Sequence, residues 1–321
     1  MLNSCRICNN DNDLIYHRIK EQMMGTGDIF DYFQCPSCGC LQINQIPKNL
    51  SEYYSDGYYS YRRMKQLEHA PLRRWGDTHR VNDALGKRDI IGQLLNTVSK
   101  PLEYLPWIIK AGIKRDARVL DVGCGQGRLL LRMALGGFKH LYGIDPFISS
   151  DINFANGVCI YKQDLHSFAT TGEKFDFIML HHSFEHMPEQ DKSLLAISKI
   201  LSPGGVVLLR VPLCDSYAWE HYGVNWVQLD APRHLYLPSR YSIALLAQEC
   251  GLEIVNVIDD SSKFQFTGSE LYLHGISLNA DKRRQKIFSR AQLRHFSLQA
   301  ARLNAEGRGD QAAFYLRAAT P

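Results

Sequence analysis

The stretch DAPRHLYLPS, residues 230–239, sets Arg233 and His234 side by side between two prolines. Helix is disfavoured across Pro232 and before Pro238, so the pair belongs on a loop. A histidine there suits general-base work, because its ordinary pKa lies near operating pH. The adjacent guanidinium suits a substrate phosphate or carboxylate, which a planar fork holds well. The competing account is an internal salt bridge from Asp230 to Arg233, bracing the loop with His234 packed below it. A second set, HHSFEHM, spaces His182, Glu185 and His186 as on a helix. His186 is a further catalytic candidate, with a structural role as its rival. The HxxxH spacing resembles a metal pair, but the HExxH pattern of zincins is absent.

The third set is cysteine. CRIC supplies Cys5 and Cys8, and CPSCGC supplies Cys35 and Cys38, with Cys40 as an extra. Two such pairs can close a tetrahedral four-thiolate zinc site, which is structural and not catalytic. The gap between the pairs is longer than the usual ~15–20 residues. A hairpin over HRIKEQMMGTGDIFDYFQC would fill it. The metal would stabilise a segment too short for a core of its own. Reduced, buried cysteines are the bland alternative.

These residues need elements to hold them. RVLDV reads as a buried strand, GCGQG as a tight turn and RLLLRMAL as a helix. Gly123, Gly125 and Gly127 let the backbone approach a ligand at the helix N-terminus. The pattern is GxGxG after a strand acid, not the GxGxxG of a dinucleotide site. Asp121 would repel a pyrophosphate but can face a positive ligand. HLYGIDP gives a second strand ending at Asp145, placed to hold ribose hydroxyls, and VCIYKQDL a third with Asp164. FDFIMLHH, SPGGVVLLRVP and LEIVNVIDD follow as strands, and KFQFTG as a seventh. Strands alternating with helices imply an α/β fold, Rossmann-like, with a mainly parallel seven-stranded sheet and helices on both faces. Ligands bind outside the carboxyl ends of such strands. The long insertion after the fifth strand, carrying Trp219, Tyr222, Trp226 and Tyr236 beside Arg233 and His234, lies at that edge.

In this order the motifs resemble those of class I S-adenosylmethionine-dependent methyltransferases, over about residues 111–262. The resemblance implies that Asp121, Gly123, Cys124, Gly125 and Gly127 surround the amino-acid end of the cofactor. It implies Asp145 on the ribose, Pro146 or Phe147 against the adenine, and Asp164 with Leu165 near the adenine amino group. His181 would line the cofactor. The four-cysteine segment, the tyrosine-rich YYSDGYYSY and this core together resemble bacterial methyltransferases of polysaccharide, O-antigen and deoxysugar pathways. APRHLYLPS is similar to the loop in which sugar C-methyltransferases carry a Tyr-Glu-His base motif. His234 matches the histidine, while Pro232 and Arg233 replace the other two, so O-methylation fits as well. Some ribosomal RNA methyltransferases also join an N-terminal zinc module to this core, which keeps an RNA substrate as the alternative.

The resulting organisation is a zinc-ribbon-like module at 1–60, a helical connector at 61–110 with breaks at Pro71, Pro101 and Pro106, the core at 111–262, and a last strand with a basic helical tail at 263–321. Of 37 Lys and Arg and 33 Asp and Glu in all, residues 261–321 hold ten and four. That tail reads as a solvated helix face, a partner helix, a contact to anionic membrane lipid or one to RNA phosphate. The tyrosines of SEYYSDGYYSYRR read as linker packing or as a sugar- or base-stacking surface. No apolar run approaches the ~18 residues of a membrane span. The start lacks the pattern of a signal peptide, so a cytoplasmic protein is expected, with free or metal-bound cysteines.

Overall fold

The computed structural model describes residues 4–54, 71–280 and 287–319. Most of the tyrosine-rich stretch, the start of the connector and the tail segment DKRRQK therefore lie outside the described residues. The strands are β1 (Ile15–Lys20), β2 (Ile29–Gln34), β3 (Leu41–Ile43), β4 (Arg118–Val122), β5 (His140–Ile144), β6 (Ile152–Asn153), β7 (Cys159–Tyr161), β8 (Phe175–His181), β9 (Leu201–Pro212), β10 (Tyr236–Leu237), β11 (Leu252–Asp259) and β12 (Gln311–Ala318). They form a small sheet ordered β1-β2-β3-β10 and a large one ordered β11-β12-β9-β8-β4-β5-β7-β6. β4 runs parallel to β5 and β8, β5 runs parallel to β7, and β6 closes antiparallel on β7.

The large sheet thus has eight strands, not seven. KFQFTG is not among them: Phe264–Leu273 is a helix that buries Phe266, Leu271 and Tyr272. The missing strand is β12, QAAFYLRA, in the tail expected to be helical throughout. Its apolar run carries no period that separates a buried strand from a buried helix. The rest of the described tail contains the helix Arg290–Ala305, begun by a Ser289–Gln292 capping box. One of the expected breaks is also a helix start: Pro106 lies in the first turn of Leu105–Ala111, where a missing N–H leaves no helical bond unmade. Pro71 is the first described residue of the helix Pro71–Ala84.

The described residues divide into two compact units that are not consecutive in sequence. One takes its residues from Met1–Ser55, His182–Asp191 and Arg210–Phe314, the other from Asp56–His181, Lys192–Leu209 and Tyr315–Pro321. The second is built on β4, β5, β7 and β8. Val119, Leu120, Phe177, Ile178, Met179 and Leu180 are all buried there, as continuous apolar strands of a covered parallel sheet should be. The first contains the cysteine hairpin, β1 against β2, with β3 beside it. It also contains β10, paired antiparallel to β3 through Tyr236–Gln42 and Leu237–Leu41. The loop after Arg233 is therefore a strand of the cysteine module's own sheet. Among the described residues no helix is long and apolar enough to cross a membrane.

Candidate active site

In the second unit the glycine turn joins β4 to the helix Arg128–Leu135. Gly123, Gly125 and Gly127 all take positive φ, which only glycine adopts without strain. At Gly127 a Cβ would also lie 2.1 Å from Ile160 Cδ1. Asp145, at the end of β5, accepts from Gly125 N and Phe147 N, each at 2.9 Å, and so fixes the turn from the neighbouring strand. Burial raises its pKa against those two bonds. Asp121 is buried, and burial, aided by the Asp145 charge, pushes it up to about 7. Cys124 sits in the turn with its thiol toward Gly125 O. Asp164 caps a short helix by accepting from Ser167 N at 2.9 Å, and Leu165 after it is buried. Phe147 is 76% exposed, and Pro146 before it is exposed too. His181 ends β8 with its ring 4.3 Å from that of Trp107, a residue that no motif picked out.

His182, the next residue in the chain, belongs to the other unit, where it begins a cluster with Glu185, His186 and His234. The hydrogen bonds settle each imidazole tautomer. His182 Nε2 lies 2.8 Å from an Arg210 guanidinium nitrogen, which can only donate, so Nδ1 carries the proton and donates to Glu185 Oε1 at 3.2 Å. His186 Nδ1 lies 2.8 Å from Arg233 O and 3.1 Å from the Tyr54 hydroxyl, and His234 Nδ1 lies 2.7 Å from Gln228 O. A carbonyl only accepts, so both Nδ1 atoms carry protons and both Nε2 atoms carry lone pairs. Nε2 of His234 stands 3.9 Å from Glu185 Oε1 and 3.8 Å from Asp230 Oδ2. The two imidazole rings meet edge to face at 4.7 Å. Burial foremost lowers His234 to about 4, against the opposing pull of Asp230 and Glu185, which leaves its ring neutral near pH 7. Glu185 is fully buried. Burial would raise it, but the His182 hydrogen bond foremost holds it down to about 2.

Arg233 is a correction. It is fully buried, with Nε on both Asp230 oxygens at 3.0 Å, one terminal nitrogen on Glu21 at 2.8 Å and the other on Tyr53 O at 3.1 Å. Its donors are spent inside the protein, so it braces the loop instead of holding a substrate anion. Glu21, which sequence reasoning missed, also accepts from Met24 N, Gly25 N and Thr26 N. Its partner lies 212 residues away, so no local signal marks it. The aromatic insertion is likewise more core than open surface. Trp226 donates to Asp310, Tyr236 to Pro188 O and Tyr222 to Glu270. Arg233→Met should destabilise the protein by about 3–5 kcal/mol, because Glu21 and Asp230 would be left buried without their counter-charge. Urea unfolding measures this, and an unchanged midpoint would remove the brace assignment.

The cysteines converge as their spacing implies. One sulfur from each of Cys5, Cys8, Cys35 and Cys38 lies within 4.8 Å of the others, with Cys5–Cys38 and Cys8–Cys35 both at 3.5 Å. Ligands ~2.3 Å from a tetrahedral zinc ion stand close to that separation. Ile7 N and Gln42 Nε2 donate to the Cys5 sulfur, as they would to a thiolate. This donor set fits a structural zinc ion.

A family model described as a methyltransferase domain matches residues 94–257. The chain is 30% identical over 105 residues to a tRNA U34 carboxymethyltransferase from Campylobacter hominis, covering 30% of this chain and 37% of that protein. It is 32% identical over 114 residues to a ubiquinone biosynthesis O-methyltransferase from Aeromonas salmonicida, covering 33% of this chain and 48% of that protein. The chain thus spans less than half the length of these relatives. Among solved structures it is similar to the O-methyltransferase of a trans-AT PKS multienzyme from Brevibacillus brevis, in complex with S-adenosyl-L-homocysteine. That likeness has 17% identity and a TM-score of 0.40, over 67% of this chain and 72% of that one.

Proposed function

We propose, because this chain belongs to the methyltransferase-domain family, that it transfers a methyl group from S-adenosylmethionine to a sugar in bacterial polysaccharide or deoxysugar biosynthesis. The acceptor is nucleotide-linked or part of a glycan or lipid-linked glycan, and it reacts through oxygen or an acidic carbon. S-adenosylmethionine supplies a methyl on a sulfonium, whose carbon–sulfur bond breaks as the bond to the acceptor forms. The protein's tasks are to place the acceptor and to take its proton. Asp121 faces the cofactor's positive end, the glycine turn admits its amino-acid portion, and Asp145 meets the ribose. Pro146 or Phe147 covers the adenine, with Asp164, Leu165 and His181 along the rest. The proton goes to Nε2 of His234. The observation that carries this role is the Nδ1–H bond to Gln228 O, which fixes a lone pair on Nε2 with two carboxylates under 4 Å away to stabilise the imidazolium formed. His186, tied through Nδ1 to Arg233 O, holds the cluster in shape. Zinc on the four cysteines is structural.

A cationic ligand competes with a proton at Asp121. Its carboxyl titrates at about 7, so below that pH it takes up a proton and loses its attraction for the ligand. Affinity for S-adenosylmethionine should be level at higher pH and fall roughly tenfold over the first unit below. Asp121→Asn should bind weakly at every pH. Calorimetric titration across this range decides, and a flat profile in the wild type would remove Asp121 from the contact.

The substrate class is tested with labelled S-adenosylmethionine in fractionated extract of the native host. Label in nucleotide sugar or lipid-linked glycan is the expected result. Label in RNA would replace this reading with the alternative, an RNA methyltransferase. That alternative draws on the exposed Arg290, Arg294 and Arg302 along the helix Arg290–Ala305. The same basic tail could instead serve peripheral contact with anionic membrane lipid.

A further inference from the structure

The cluster around Glu185 contains too many electron pairs and too few protons. His234 Nε2 presents a lone pair, because its proton is on Nδ1 and bonded to Gln228 O. His186 Nε2 presents another, because its proton is bonded to Arg233 O. Glu185 presents a carboxylate whose Oε2 is buried and has no hydrogen-bond partner among the described residues. Its other oxygen is engaged by His182, so the carboxylate is held in orientation while Oε2 stays open. Donor atoms of Glu185, His186 and His234 lie within 4.8 Å of one another. Three electron-pair-bearing side chains this close together, one of them charged and all at least half-buried, are costly to hold unless a cation lies among them.

We propose that Glu185, His186 and His234 bind a divalent transition-metal ion, through Glu185 Oε2 and the Nε2 atom of each histidine. The outer contacts follow the pattern that metal-ligating histidines show, in which the second ring N–H is given to a backbone carbonyl. Both histidines do this, to carbonyls of the loop and its flank, and His182 does the equivalent for the carboxylate. Two imidazoles and one carboxylate suit manganese, iron, cobalt or zinc better than calcium or magnesium. Donors on an ion at ~2.1 Å stand at most ~4.2 Å apart, so small side-chain shifts close the set. Three protein ligands leave coordination positions open for an oxygen ligand, as in catalytic sites. The inference goes beyond the proposed function and does not depend on the acceptor. An ion on Nε2 of His234 takes the lone pair that otherwise receives the proton, so the base role describes the metal-free protein.

The test is titration of the purified full chain with Co2+, after its retained zinc has been measured. The expected result is about one further equivalent bound. Proton NMR should then show two strongly shifted, exchangeable imidazole N–H signals, from the Nδ1–H groups held on carbonyls. Glu185→Gln and His186→Ala should each weaken binding at least tenfold, with far-ultraviolet circular dichroism confirming the fold. Arg302→Ala, on the exposed helix face, should leave it unchanged. The wild-type NMR signals carry the test if either variant fails to fold. Absence of binding beyond the retained zinc overturns the proposal. So does cobalt that shows only sulfur-to-metal charge transfer and shifts no imidazole signal, since that places it on the cysteines. Methyl transfer is not read in either case, so failure here leaves the sugar reading standing, and an RNA product leaves this site standing.

Discussion

His234→Ala should bind S-adenosylmethionine as the wild type does and lose methyl transfer by about 10²–10⁴-fold, the range that a positioned base contributes. The binding half of this expectation follows from placement. Asp121, the glycine turn and Asp145 all lie in the unit that does not contain His234. The structural loss is of a different kind. Deleting the buried ring leaves a cavity and Gln228 O unpaired, a cost of about 2–4 kcal/mol, while Tyr32 still donates to the backbone oxygen of residue 234. A variant that stays folded at the assay temperature and still loses turnover therefore separates a chemical role from a packing one. Single-turnover rates, with calorimetric titration of S-adenosylhomocysteine and thermal melts of both proteins, make the comparison. A variant that keeps its rate to within about an order of magnitude would exclude His234 as the base.

Loss of the zinc ion proposed for Cys5, Cys8, Cys35 and Cys38 should disable the enzyme from a distance. The cysteine segment is too short to be stable on its own core, and structural zinc in comparable peptides contributes about 10–16 kcal/mol of apparent binding free energy. That free energy does not stop at the hairpin. Ile43 N donates to Leu235 O, Tyr32 donates to His234 O, and Ser239 donates to Cys38 O. The loop that carries His234 is thus hung on the cysteine module from the histidine onward. Cys35→Ser, or extraction of zinc by a strong chelator, should lower the melting temperature and reduce methyl transfer together. Tryptophan fluorescence should report the change through Trp219, which donates to Gln34 of β2. Metal analysis alongside activity is the measurement. Protein that purifies without zinc and is unaffected by Cys35→Ser would show that hydrogen bonding and packing alone hold the loop.

These dependencies explain which parts of the site could be read locally. Cys5, Cys8, Cys35 and Cys38 announce themselves because two residues between thiolates suffice to reach one ion. The turn Gly123–Gly127 announces itself because positive φ demands glycine, and the strand acids at 121 and 145 fall beside it. Arg233 was ambiguous for the opposite reason. A guanidinium beside a histidine looks the same in sequence whether its partner is a substrate anion or a buried Glu21. KFQFTG and QAAFYLRA failed similarly: each is a short apolar stretch whose conformation depends on the surface available to cover it.

The sequence by itself determined the α/β core, the glycine turn and the four-cysteine set, since each rests on backbone preference or on spacing within a few residues. Only the tertiary structure decided that the cysteine module and the His234 loop share one sheet, that Arg233 is a brace, and that Glu185, His186 and His234 converge. Those outcomes depend on pairs 47 to 212 residues apart. Burial sets them, because it makes every unpaired donor or acceptor expensive until a distant partner satisfies it.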